Sequence, residues 1–125
     1  MERRNSEEQI LARYNENMRR NEEELLEIQG RKKTLEKHED ELEEVKWKLN
    51  HYFETHREFY VGTEEFSRFD TLESEIYECE RSSRRQLNEE REEIKKEEKY
   101  LYEQQETCHA EYQSELRAFL EKEDN

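Results

Sequence analysis

A chain of 125 residues with no proline and only two glycines has very few places to reverse direction. Sandwiches, barrels and α/β folds need tight turns every few residues, so this composition excludes them. Leu, Ile, Val and Phe together supply only 22 residues, while 46% of the chain is charged. That is too little apolar matter to fill a compact spherical interior of this length. Long helices or disorder are what remain.

Periodicity decides for helix. In the first arm Leu11, Tyr14, Met18, Leu25 and Ile28 recur at steps of three and four, with Asn21 holding one slot. The pattern resumes at Leu42, Val45, Leu49, Tyr52, His56 and Phe59, and the positions between are almost wholly Glu, Lys, Arg and Asn. These are seams of the kind that line a coiled coil. Glu stands four residues before a base at Glu16/Arg20, Glu27/Arg31, Glu44/Lys48, Glu80/Arg84 and Glu92/Lys96. Each pair adds only about 0.2–0.5 kcal/mol, but all favour helix over disorder. The spacing predicts a change of phase between Ile28 and Leu42, an interval that contains Gly30. Either a tolerated irregularity in a long coiled coil or a hinge would account for it, and a break into two shorter helices stays open there.

One turn is written clearly, at Phe59–Glu65. Gly62 suits the left-handed conformation that ends a helix, and Thr63 is then expected to cap the next one, with Glu64 and Glu65 in its first turn. The second arm carries Phe66, Phe69, Leu72, Ile76 and Cys79, then Leu87, Ile94, Leu101 and Cys108 at sevens, joined by Tyr112 and Phe119. Gly62 splits the chain almost equally. The expected fold is all-α, a single long antiparallel two-helix hairpin of coiled-coil type. Arm one covers about 5–60, the turn about 60–63 and arm two about 63–121.

The net charge of −14 argues against a nucleic-acid partner and against a polybasic membrane anchor. No apolar run is long enough for direct membrane insertion, and the first residues lack the apolar stretch of a secretory signal, so a cytoplasmic location is expected. Cys79 and Cys108 are too few for a disulfide framework. His51 and His56 are five apart, and Cys108 and His109 adjacent, so neither pair shares a helix face as metal ligands must. No phosphate loop or nucleophile constellation is present, and two helices offer no pocket walls. No catalytic residue, cofactor or metal is expected, and the chain reads as a non-enzyme.

The aromatic residues are more telling. Of thirteen, eight crowd the turn end: Trp47, Tyr52, Phe53, Phe59, Tyr60, Phe66, Phe69 and Tyr77. Either they close the tip or some of them form a partner surface. The seams also carry Lys32, Glu39, Arg84, Arg91 and Glu98, so the hairpin should be marginal alone and gain stability by packing on something else. Binding is the expected function, with Trp47, Phe53, Phe59, Tyr60, Phe66 and Phe69 as contact residues.

A hairpin of this size, with Tyr60-Val61-Gly62 at its turn, resembles the WXG superfamily exported by bacterial type VII secretion systems, which has Trp-x-Gly there. More closely, it resembles the small acidic helical proteins that accompany LXG toxins of type VIIb systems. Phe66-Ser67-Arg68-Phe69-Asp70 matches a Phe-x-x-x-Asp motif of such partners, and Tyr102-Glu103-Gln104-Gln105-Glu106 has the Tyr-x-x-x-Asp/Glu form of related export signals. The resemblance implies a targeting chaperone that binds the helical N-terminal domain of an LXG toxin, with a second small helical protein as a further partner. It implies that Asp70 joins the contact residues, that Tyr102 and Glu106 carry an export signal, and that the protein can be co-exported with the toxin. The alternative is a structural coiled-coil scaffold or a homodimerisation protein.

Overall fold

A computed structural model describes the backbone of residues 2–124 and the side chains of residues 6–123. Among the described residues there are two helices and no strand: α1, Glu2–Tyr60, and α2, Phe66–Asp124, each of 59 residues. The all-α helical hairpin expected from the sequence is the fold observed. The helices form two compact units: Lys32–Glu93, which contains the turn, and Met1–Arg31 together with Ile94–Asn125, the terminal unit.

α1 runs through Gly30 without a break. Nor does its seam change phase. From Tyr14 to Tyr60 the seam runs through Tyr14, Met18, Asn21, Leu25, Ile28, Lys32, Leu35, Glu39, Leu42, Lys46, Leu49, Phe53, His56 and Tyr60 in alternating steps of four and three, with Glu16, Arg31 and Arg57 half-buried beside it. The phase change expected from the sequence is absent because Leu35 is buried in the interval and because Lys46, Phe53 and Tyr60 hold the seam in place of the exposed Val45, Tyr52 and Phe59. A lysine can hold a seam position because its alkyl stem packs while its ammonium reaches water. Leu11 is exposed as well, and Ile10 is half-buried in its place. On α2 Leu72 and Cys79 likewise lie outside the seam, and Glu73 and Glu80 lie in it.

Gly62 ends α1 with φ +81°, as a left-handed stop requires. Thr63 does not cap α2. Its hydroxyl donates to the Tyr60 carbonyl at 2.6 Å and its own amide to the same oxygen at 3.0 Å, so it satisfies the end of α1. α2 begins three residues later, at Phe66, after the Glu65 carbonyl has accepted from the Phe69 amide at 3.0 Å.

In the turn-side unit the partners step backward along α1 as they step forward along α2: Arg57 with Glu73, Asn50 with Tyr77, Glu43 with Arg84, Glu39 with Arg91. The rungs of that ladder at 43, 50 and 57 are seven apart, which fixes one flank of α1 against α2. Phe53 is the centre of the unit, 2% exposed, edge-on to Phe69 with ring centres at 5.5 Å and tilted against Tyr77 at 5.6 Å. Glu80, 7% exposed, is tolerated because Arg84 binds its carboxylate at 2.8 Å and also reaches Glu43 at 2.7 Å.

The terminal unit is antiparallel too, through Arg31 with Glu97, Gln29 with Glu98, Arg13 with Glu115, and a Tyr14–Tyr112 stack at 4.4 Å. Among its described residues the buried apolar side chains are the aliphatic Ile28, Ile94 and Leu101. Asn21 is buried among them and donates through Nδ2 to the Leu101 carbonyl at 2.8 Å, leaving its Oδ1 without a partner.

Candidate functional site

Successive helix residues turn by about 100°, so Val45, Tyr52 and Phe59, at strict sevens, form one stripe on the flank of α1 opposite the 43–50–57 ladder. In an antiparallel pair the corresponding flanks of both helices lie on the same side, which places Leu72, Ile76 and Cys79 of α2 beside that stripe. Ile76 is half-buried and the other five are exposed, Phe59 at 72%. The turn-side unit therefore has one seam closed within the hairpin and a second apolar seam open to solvent.

The open seam is held in shape. Tyr52 stacks on His56 at 4.2 Å and stands edge-on to the buried Phe53 at 5.4 Å, while His56 leans on Phe59 at 6.0 Å. His56 Nδ1 lies 2.8 Å from the Tyr52 carbonyl oxygen, to which it donates, and this fixes the ring that links the two exposed aromatics. Rings braced in this way lose little rotamer freedom on contact with a partner.

The contact residues expected from the sequence divide into two groups. Phe53 and Phe69 are core, Phe66 is half-buried, and Tyr60 stacks on Phe69 at 4.8 Å. Phe53 and Tyr60 were expected outside the seam and lie in it, so truncating either would loosen the tip. Trp47 and Phe59 are exposed, Trp47 at 66% and stacked flat on His51 at 5.5 Å. Trp47 falls on the far side of α1 from Tyr52, so the two exposed rings do not share a face. Asp70 is exposed on the first turns of α2. Tyr102 and Glu106 are exposed one turn apart in the terminal unit. The sequence pattern places Tyr52, Val45, Leu72 and Cys79 in the hairpin seam, whereas all four are exposed on its flank. Their seven-residue spacing was visible, but not which of two adjacent seams it marked.

Among the described residues of the terminal unit the exposed apolar side chains form no comparable stripe. On the corresponding flank it has an open groove of about 550 Å³, lined by Asn17, Asn21, Tyr100, Gln104 and Cys108 among others. Among the described residues no group of three or more His, Cys, Asp or Glu is placed to hold a metal ion, and no helix is long and apolar enough to cross a membrane. A scan of protein-family models finds none that matches the chain, and no curated protein or solved structure matches it.

Proposed function

We propose that the chain is a non-catalytic targeting factor that binds the helical N-terminal domain of an LXG toxin for type VII secretion. The observation that supports this reading is the open seam of Val45, Tyr52, Phe59, Leu72, Ile76 and Cys79: heptad spacing is how one helix is read by another. A helix pair of the toxin packs against it and converts the hairpin into a helical bundle. The choice of an LXG domain as that partner comes from the sequence resemblance, together with the acidic excess that suits a basic partner face. Tyr102 and Glu106 remain open to the export machinery in such a complex, since the partner occupies the other unit. The protein acts in the cytoplasm before export and leaves with its toxin.

Titration calorimetry with a purified LXG helical domain tests this. Tyr52→Ala with Phe59→Ala should weaken binding by roughly 2 kcal/mol or more while leaving the helical circular dichroism signal intact. Unchanged affinity in that variant would remove the open seam from the proposal. A toxin domain that does not bind the wild-type chain at all would end the targeting reading.

A further inference from the structure

The open seam has edges, and their charges select an occupant. The outer edge on α1 carries Glu41, Lys48 and Thr55 at sevens, with Glu58 beyond; that on α2 carries Arg68, Glu75 and Ser82, also at sevens. The ladder sets the levels: Asn50 is opposite Tyr77 and Arg57 opposite Glu73. Lys48 therefore stands level with Cys79 and within one turn of Glu75, and Glu58 within one turn of Arg68. We infer that, before its partner arrives, the open seam is covered by a second copy of the chain, with the two hairpins related by a two-fold axis along the helices and their turns at the same end.

In that arrangement α1 of one copy lies on α2 of the other, antiparallel as within the hairpin. Lys48 then meets the other copy's Glu75 and Glu58 meets its Arg68, all four being exposed in the single chain. Turning one copy end for end instead stacks α2 on α2 near its Leu72–Cys79 centre, where Glu75 meets its own copy as a like charge. Pairing turn to turn is the arrangement the charges favour. The seam is small. From Val45 to Phe59 it is about 21 Å long and, two helices wide, offers about 400 Å² per copy, half the share of a standard interface. The net charge of −14 on each chain opposes pairing as well. The dimer should therefore be weak, with a Kd of roughly 10–100 μM, and should yield to a longer helical partner. This inference rests on the open seam being a docking face, not on the identity of the partner.

Two measurements on the full chain test it. Sedimentation from low micromolar to near-millimolar concentration should show reversible dimers. Glu58→Arg should weaken them about tenfold, and adding Arg68→Glu should restore them to within about threefold of wild type. In a Cys108→Ser background, Lys48→Cys should form disulfide-linked dimers with the other copy's native Cys79, and Cys79→Ser should abolish them. A chain that is monomeric at every concentration overturns the inference, even if it binds the toxin domain. Cross-links that persist with Cys79→Ser overturn the turn-to-turn arrangement. A chain that pairs as described but ignores the toxin domain supports the inference while ending the targeting proposal.

Discussion

The turn-side unit and the terminal unit have the same helices, the same antiparallel sense and similar charge, yet they solve packing differently. Around the turn, Phe53, Phe69, Tyr60 and Tyr77 fill the seam with rings, and the ladder from Glu39 to Arg57 ties one flank. The other flank is left apolar and open. In the terminal unit the seam holds Ile28, Ile94 and Leu101 with a buried Asn21, and the corresponding flank is a groove lined with amides. Exposed apolar side chains occur in both units, Leu11, Leu26, Tyr100, Tyr102 and Leu120 among them in the terminal one, but the heptad-spaced stripe lies in the unit that can best support it. Rings that are already fixed from beneath make a better docking face than a seam that must first settle.

The largest expected effect follows from the ring core. Phe53→Ala should cost about 3–4 kcal/mol in urea unfolding, because Phe69, Tyr77 and Tyr52 all lose a contact and cannot collapse into the space. Leu101→Ala, in the terminal unit, should cost about 2–3 kcal/mol, since fewer atoms are lost and Leu101 itself lines an open groove of about 270 Å³ beside Ile28 and Tyr100, which lets neighbours relax. If Leu101→Ala costs as much as Phe53→Ala, the contrast between the units is broken. Native-state hydrogen exchange would sharpen it: amides near Phe53 should open last.

Next in size are the polar groups each unit buries. Asn21→Leu should stabilise the terminal unit by about 1–2 kcal/mol, because a single buried Asn in a seam costs stability while fixing register. Glu80→Met should be neutral or stabilising by about 1 kcal/mol. Arg84 is not orphaned by the change, since Glu43 still holds it at 2.7 Å. Calorimetric melting checks both. A clear loss of stability in Asn21→Leu would mean that the hydrogen bond to the Leu101 carbonyl outweighs the buried, unpartnered Oδ1.

Much of this was legible in the sequence, and the part that was not has a physical cause. Equal arms about Gly62 gave the hairpin, because no other residue supplies a comparable stop, and Leu87, Ile94, Leu101 and Cys108 at sevens marked one side of the α2 seam. Register was harder. From Leu42, Leu49 and His56 a helix can step three residues, to Val45, Tyr52 and Phe59, or four, to Lys46, Phe53 and Tyr60, and both sets are largely apolar. Residue type favours the first set, and the partner helix selects the second. The turn-side seam that sequence reasoning assigned on α1 is the open seam together with the positions it shares with the closed one. Glu73 and Glu80 were overlooked for a related reason: a carboxylate reads as surface until the arginine that neutralises it is in place.

A smaller effect is expected at high pH in the turn-side unit. Tyr77 is held above the ordinary phenol pKa, first by desolvation and then by nearby Glu73 and Glu54, and its hydroxyl donates to Asn50. The native state thus keeps a proton that the unfolded chain releases. Its contribution is full below pH about 10 and declines as pH rises through the folded value. Tyr77→Phe should flatten that alkaline limb. An unchanged limb would assign the loss to other groups.

The smallest effect compares exposed carboxylates, one in each unit. Hydrogen bonding from Arg19, above all, holds Glu16 down at about 2, and hydrogen bonds from Arg81 and then Arg85 lower Glu78. A carboxylate with a depressed folded pKa contributes stability that is present above its ordinary pKa and is lost as pH falls through the folded value. For Glu16 that window runs from 4.5 down to about 2. Both carboxylates lie at the surface, with side chains 43% and 58% exposed, so solvent and salt screen them and each should add only a shallow acid limb. Glu16→Gln and Glu78→Gln should each flatten part of that limb at low ionic strength, and both differences should vanish in strong salt. The two units differ in what they bury and in the flank they leave open, not in their outer charge pairs, so the two substitutions should behave alike. A Glu78→Gln effect that survives strong salt, beside a Glu16→Gln effect that does not, would extend the contrast to the surface and show the turn-side helix face to be more rigidly held than its exposure implies.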